Sequence, residues 1–246
     1  MPLDTHAVLT ARAEALNAAY ANHSAFAVMS RALDDAAVGP VALVSSFGAE
    51  SVVLLHMLSV MDRARPVLFL ETGMLFPETL AYQRQVAERL GLSDVRVVRP
   101  DSTDLFDADA EGDLHGRDPD ACCTIRKTKP LELALQTFDA WITGRKRFQG
   151  GSRAALPFFE AEAGKLKINP LAHWRPADVA DYIENNRLPR HPLVAQGFPS
   201  LGCAPCTSKV APGEDPRAGR WRGREKTECG IHFAGGRALP GAVVAG

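Results

Sequence analysis

Apolar positions in the first 37 residues recur at helical spacing. Val8, Leu9, Leu16, Tyr20, Val28 and Leu33 sit on Ala-rich segments that Gly39-Pro40 stops. The pattern then changes. Residues 41–44, 66–70 and 95–98 are apolar runs too short for helices, while residues 52–61 and 78–90 between them keep a helical period. Strand, helix, strand, helix, strand predicts a parallel sheet built from crossover units. After Pro100 the chain turns acidic and is expected to be irregular through Asp118-Pro-Asp120. A helix is expected to carry Cys122-Cys123 and run to about Phe138, followed by a fourth apolar run over 140–143 that ends at Gly144. Residues 158–168 read as a short hairpin and 176–186 as a helix. From about Leu188 the chain is rich in Pro, Gly and Arg without a period, and the last stretch reads as a mobile tail laid over the domain. The expected organisation is one α/β domain: residues 1–38 as helices packed on it, 39–200 as the sheet, and 201–246 as a tail of the same domain.

Composition narrows the class. With 46% hydrophobic and 23% charged residues over 246 positions, the chain can bury a sizeable core and is neither disordered, collagen-like nor a coiled coil. A net charge of -1 offers no global attraction to nucleic acid or an anionic membrane, so any basic site is local. The start has no basic n-region followed by an apolar stretch, and no apolar run approaches a membrane span. A cytoplasmic, thiol-reducing location is therefore expected, and the five cysteines call for a role other than disulfides.

Several clusters carry candidate chemistry. Ser45-Ser-Phe-Gly-Ala-Glu-Ser51 falls between a strand and a helix, where small residues let backbone N–H groups face an anion, although a plain turn has the same look. Leu70-Glu-Thr-Gly73, after the next strand, would lie beside it on the same sheet edge. Basic residues gather at Arg126, Lys127 and Lys129, at Arg145, Lys146, Arg147 and Arg153, and at Arg217, Arg220, Arg222, Arg224 and Lys226. Arginine forks and lysine point charges suit phosphate or sulfate. Cys122-Cys123 and Cys203-Ala-Pro-Cys206 form a four-thiol set suited to zinc or an iron–sulfur cluster. Adjacent helical residues diverge by about 100°, so the tandem pair reaches one centre only with local distortion, which a bulky four-iron cluster tolerates better than a single zinc. Cys229, in an arginine-rich segment with His232 nearby, is a candidate reactive thiol.

Together, Cys122-Cys-Thr-Ile-Arg-Lys127, Cys203-Ala-Pro-Cys206 and Lys226-Thr-Glu-Cys-Gly-Ile-His232 resemble the assimilatory adenylyl-sulfate reductases of the adenylyl/phosphoadenylyl-sulfate reductase family, over roughly residues 40 to 233. The resemblance implies the parallel-sheet adenine-nucleotide hydrolase-like fold and a [4Fe–4S] cluster on Cys122, Cys123, Cys203 and Cys206. It implies a modified PP-loop at Ser45, Ser46, Phe47 and Gly48, and adenosine contacts from Leu70, Glu71, Thr72 and Gly73. Lys127, Lys146, Arg147, Arg217 and Arg220 would hold the phosphosulfate, with His232 assisting, and Cys229 would be the nucleophile. Two stretches depart from the family pattern: Ser51 follows the loop glutamate where an acid is usual, and the basic loop reads Lys146-Arg-Phe-Gln-Gly150, without the usual Asp and Ser. The implied reaction turns adenylyl sulfate into sulfite and AMP through an S-sulfocysteine. If four cysteines are ligands, none is left to resolve that intermediate, so thioredoxin or glutaredoxin would be the external reductant. The alternatives are use of the 3′-phosphorylated nucleotide or of both nucleotides, a tRNA-thiolating PP-loop enzyme, and a four-cysteine zinc adaptor without activity. The oligomeric state stays open.

Overall fold

The structure, a computed structural model, describes residues 5–35, 38–226, 228–231, 233–234 and 237–238. Helices α1 (Thr5–Tyr20) and α2 (Ala25–Asp34) come first, the second started by the Ser24 hydroxyl, which accepts from the Ala27 N–H at 3.2 Å. There follow β1 (Val41–Ser45), α3 (Val52–Met61), β2 (Val67–Leu70), α4 (Pro77–Leu90) and β3 (Val95–Val98). The expected alternation is present. Helix α4 is bounded as its sequence suggests, with Pro77 in the first turn and Gly91 left-handed just past the end.

The acidic stretch is not irregular. It holds α5 (Ser102–Asp109), where the Asp101 carboxylate caps the N–H groups of Thr103 and Asp104, and α6 (Leu114–Arg117), whose first N–H donates to the Asp109 carboxylate at 2.7 Å. The expected long cysteine helix is also divided: α7 (Pro119–Cys123) passes into a π-helical turn over Thr124–Thr128 and resumes as α8 (Lys129–Ala134). Then come β4 (Ala140–Ile142), the hairpin β5 (Phe159–Glu162) and β6 (Lys165–Ile168), and α9 (Pro176–Asn185). The short strands β7 (Phe233–Ala234) and β8 (Arg237–Ala238) pair with each other.

The main sheet has the order β3-β2-β1-β4-β6-β5, parallel throughout except for the antiparallel edge strand β5. All residues of β1, β2 and β4 are buried, as a sheet covered on both faces requires. The larger core lies under α1–α4 and α9, and the smaller one, around Trp141, Leu131 and Leu135, lies under α8. Asn17 of α1 clamps the edge strand, donating to the Phe159 carbonyl at 2.8 Å and accepting from its N–H at 2.9 Å. Strand order reverses between β1 and β4, and the crevice at their carboxyl ends is where an open α/β sheet binds ligands.

Of the mobile tail expected over 201–246, residues 227, 232, 235–236 and 239–246 lie outside the described residues. Its first part is not loose: the stretch 192–226 has little regular structure yet is fastened down. Leu75 bridges Cys203, Val210 N–H donates to Gly197 O at 2.9 Å, and Ser208 N–H donates to Gly219 O at 2.8 Å. Trp221 is buried as its apolar anchor.

Candidate active site

At the end of β1 the Ser45 hydroxyl accepts from the Phe47 N–H at 3.1 Å, and Phe47 adopts a left-handed φ of 49°. That turn sends the Phe47 ring into the core against Phe69, with ring centroids 5.2 Å apart. Ser45, Ser46, Gly48, Glu50 and Ser51 are left to line a cavity of about 250 Å³ at the start of α3. The opposite wall comes from the segment after β4. Buried Lys146 donates to Glu50 at 2.7 Å and to the Gly144 carbonyl at 2.9 Å, and Gln149 and Arg153 extend the wall. Burial pulls the Lys146 ammonium below its ordinary value, with Glu50 opposing it.

Lys127 on the π-helical turn, Arg217 and Arg220 on the fastened segment, and Cys229 close the cavity. The Nε–H of Arg220 is buried with no hydrogen-bond partner among the described residues, although its Nη1 donates to Leu201 O at 2.9 Å. Burial alone would raise the Cys229 thiol, but Lys127 and Arg220 bring it below its ordinary value. Burial alone would lower Lys127, and the thiols of Cys229, Cys203 and Cys123 around it outweigh that and raise it.

Behind this cavity lies a smaller one, lined by Cys122, Cys123, Cys203 and Cys206 with Met74, His115, Pro119, Arg126 and Lys127. Lys127 and Cys203 border both cavities. Cys122 and Cys123 both lie in α7, and the π-helical turn begins directly after them and carries Lys127. On the other side, Cys206 N–H donates to Cys203 O at 3.0 Å in a tight turn, and Cys203 Sγ lies 3.3 Å from Thr72 Oγ1. Burial pushes Cys122 up to about 11 and Cys123 up to about 12. Among the described residues no group of three or more His, Cys, Asp or Glu side chains is arranged to grip a metal ion. The four cysteines nevertheless line one small cavity together.

Of the residues nominated for substrate or as nucleophile, ten line the cavity, Ser45, Ser46, Gly48, Leu70, Thr72, Lys127, Lys146, Arg217, Arg220 and Cys229, and Cys203 of the thiol set joins them. Four others sit outside its lining. Phe47 is in the core, and Glu71 pairs with Arg99 at 3.2 Å while accepting from Gly73 N–H at 2.7 Å. Gly73 packs by Arg126, and Arg147 turns its Nε to the Leu156 carbonyl at 2.8 Å. Arg147 follows Lys146 on an extended backbone, so the two neighbours point to different sides. His232 lies outside the described residues. Reasoning by motif passed over Glu50 as the partner of Lys146, and Leu201 and Ser200 as lining. Nothing local in sequence announces the last two, since they arrive through the fastened segment.

This chain is similar to known proteins over most of its length. The phosphoadenosine phosphosulfate reductase domain model matches residues 40–209, from the first strand to just past Cys206. The adenosine 5′-phosphosulfate reductase of Mesorhizobium japonicum is 48% identical over 92% of this chain and 89% of its own length. That of Chelativorans sp. is 53% identical over 83% and 84%. The phosphoadenosine 5′-phosphosulfate reductase of Gloeobacter violaceus is 45% identical over 77% and 81%. Among solved structures, the phosphoadenylyl-sulfate reductase of Candida auris, a phosphate complex, superposes with a TM-score of 0.68 at 27% identity, covering 80% of this chain and 96% of that one. The FMN adenylyltransferase of Candida glabrata shares the fold alone, at TM-score 0.54 and 15% identity over 87% of this chain and 78% of that one. A matched domain that takes in β1, the switch-point crevice and the four-thiol cavity, and relatives alike over most of their length, lead to one assignment: this chain belongs to the phosphoadenosine phosphosulfate reductase domain family.

Proposed function

We propose that the protein reduces adenylyl sulfate to sulfite and AMP in sulfate assimilation, with Cys229 as the nucleophile. The observation that carries this reading is one cavity at the β1/β4 switch point in which a thiol faces Lys127, Arg217 and Arg220. The buried, unpartnered Nε–H of Arg220 adds to it, because an anion in the cavity would satisfy that group. The sulfur-reductase names of the relatives at 48% and 53% identity supply the substrate class.

The Cys229 thiolate attacks the sulfate sulfur. An S–S bond forms as the S–O bond to the AMP phosphate breaks, and the departing charge is taken up by Lys127 and the two arginines. A dithiol of the thioredoxin or glutaredoxin type then attacks the Cys229 sulfur and sulfite leaves. Its second thiol frees Cys229, so the dithiol is oxidised to a disulfide as the sulfur gains two electrons. Cys122, Cys123, Cys203 and Cys206 would hold a [4Fe–4S] cluster. When bound, it would supply fixed charge beside Lys127, which borders both cavities. The protein works in the cytoplasm on this reading, without nucleic acid or membrane; no described helix is long and apolar enough to cross a bilayer.

Wild-type protein mixed with adenylyl sulfate without reductant is expected to gain one sulfonate on the peptide holding Cys229, and thioredoxin to remove it as sulfite. Cys229→Ser should keep its iron and its nucleotide binding and lose sulfite formation almost completely, because a serine hydroxyl is hardly ionised near neutral pH. Retained turnover, or loss of iron, would mean that catalyst and ligand have been confused. A second reading, use of the 3′-phosphorylated nucleotide, is favoured by the Gloeobacter relative. The ratio of kcat/KM on the two nucleotides decides between them.

A further inference from the structure

The residue just before Cys229 also contributes to the cavity's geometry. Glu228 closes a two-pronged ion pair on Arg153, with Oε1 2.6 Å from Nε and Oε2 2.6 Å from Nη2, and Arg217 Nη2 approaches the same carboxylate at 3.8 Å. Arg153 is itself buried and set by Gln149, whose side-chain oxygen accepts from its Nη1 and from the Lys146 N–H. This ties Glu228 to the wall built after β4. The far side of Cys229 is tied to the opposite wall. Thr128 Oγ1 donates to the Gly230 carbonyl at 3.0 Å, Gly230 turns at φ 71°, and Ile231 packs on the smaller core beneath α8. Cys229 thus spans the crevice between two anchors, one ionic and one apolar.

We propose that Glu228 is a positioning residue: its ion pair with Arg153 docks the Cys229 segment across the cavity. Arg153 thereby serves the chain's own carboxylate, with Arg217 at its edge, and Lys127 and Arg220 are the cations left to face the cavity. The planar arginine fork matters because two parallel N–H···O contacts set an angle as well as a distance, which a lysine point charge does not. This inference rests on the reading of Cys229 as the nucleophile.

The test uses iron-loaded full-length wild type, Glu228→Gln, Arg153→Lys and the double variant, with Glu225→Gln at an exposed neighbouring site as control. Two rates are followed on the Cys229 peptide by mass: alkylation by iodoacetamide without substrate, and sulfonate formation at saturating adenylyl sulfate. Losing a charged, two-pronged contact should speed alkylation and slow sulfonation in Glu228→Gln by about tenfold to a hundredfold each, with KM and iron content nearly unchanged. Arg153→Lys should match it, and the double variant should be no worse than either single change, as one shared contact requires. Glu225→Gln should behave as wild type. Unchanged alkylation and sulfonation in Glu228→Gln overturns the proposal. So does an Arg153→Lys defect confined to KM, which would make Arg153 a substrate contact. If wild type forms no sulfonate, the functional reading fails, while the alkylation arm still decides whether Glu228 docks the segment.

Discussion

Arg220 and His191 show how differently two basic residues can be used. Arg220 stacks on Trp221 at 4.4 Å, holds the Leu201 carbonyl, and keeps one buried N–H without a partner beside the cavity. Arg220→Ala is therefore expected to raise KM for adenylyl sulfate by about tenfold to a hundredfold, the worth of a charged hydrogen bond, without altering iron content. Steady-state kinetics with iron analysis checks it, and an unchanged KM would reduce Arg220 to a packing residue. His191 is held neutral instead. Its Nδ1 accepts from Leu193 N–H at 3.3 Å, so Nε2 carries the proton toward Thr79 Oγ1 at 3.0 Å, and Tyr82 packs on the ring. Burial depresses His191 to about 4, with Glu78 opposing. Below its ordinary pKa of about 6.5 the unfolded chain binds a proton that the folded one refuses. Stability from this group is complete above that value and lost as pH falls toward about 4. Melting temperatures from pH 7 to 4.5 should fall more steeply in wild type than in His191→Gln, whose amide can still donate to Thr79. Parallel profiles would clear His191 of the effect.

Among the elements, the hairpin and the cysteine helix both depart from ideal geometry. The β5–β6 turn places Ala163 at φ 51° and Gly164 at φ 73°, the two left-handed residues of a two-residue hairpin whose twist suits the strands. Glycine adopts this readily and alanine does not, so Ala163→Asn should stabilise the protein by about 0.5–1 kcal/mol, since asparagine tolerates the left-handed region. Chemical denaturation reads the change, and a destabilised variant would show that a contact elsewhere sets the turn. In the cysteine helix, the widened turn over Thr124–Thr128 follows Cys122 and Cys123 and carries Lys127, which lines the same small cavity as they do. The period of apolar residues predicted a helix through this region, but not the break, because a π turn depends on what the helix must face and not on which residues favour it.

For the whole molecule, the segment from 199 to 226 is joined to the sheet by few buried apolar side chains, chiefly Leu201 and Trp221, and by the Cys203–Cys206 turn against Met74 and Leu75. Removing the proposed cluster with a chelator should therefore free this segment first. Trypsin is expected to cut at Lys209 or Arg224 soon after iron is lost while the sheet survives, and the same fragments at the same rate with iron in place would refute a cluster tether. Sequence alone determined the repeating strand–helix order and singled out the four clustered cysteines. Each is local, written in periodicity or in neighbouring residues, and survives whatever the chain does elsewhere. It also named most of the cavity, because loops after parallel strands meet at one sheet edge by topology. Tertiary structure alone decided that Lys146 faces the crevice while Arg147 turns away, that Glu50 is held by Lys146, and that Glu228 meets Arg153 across 75 residues of chain. Such contacts are made by side chains whose direction depends on the packing of distant segments, and no local pattern encodes that direction.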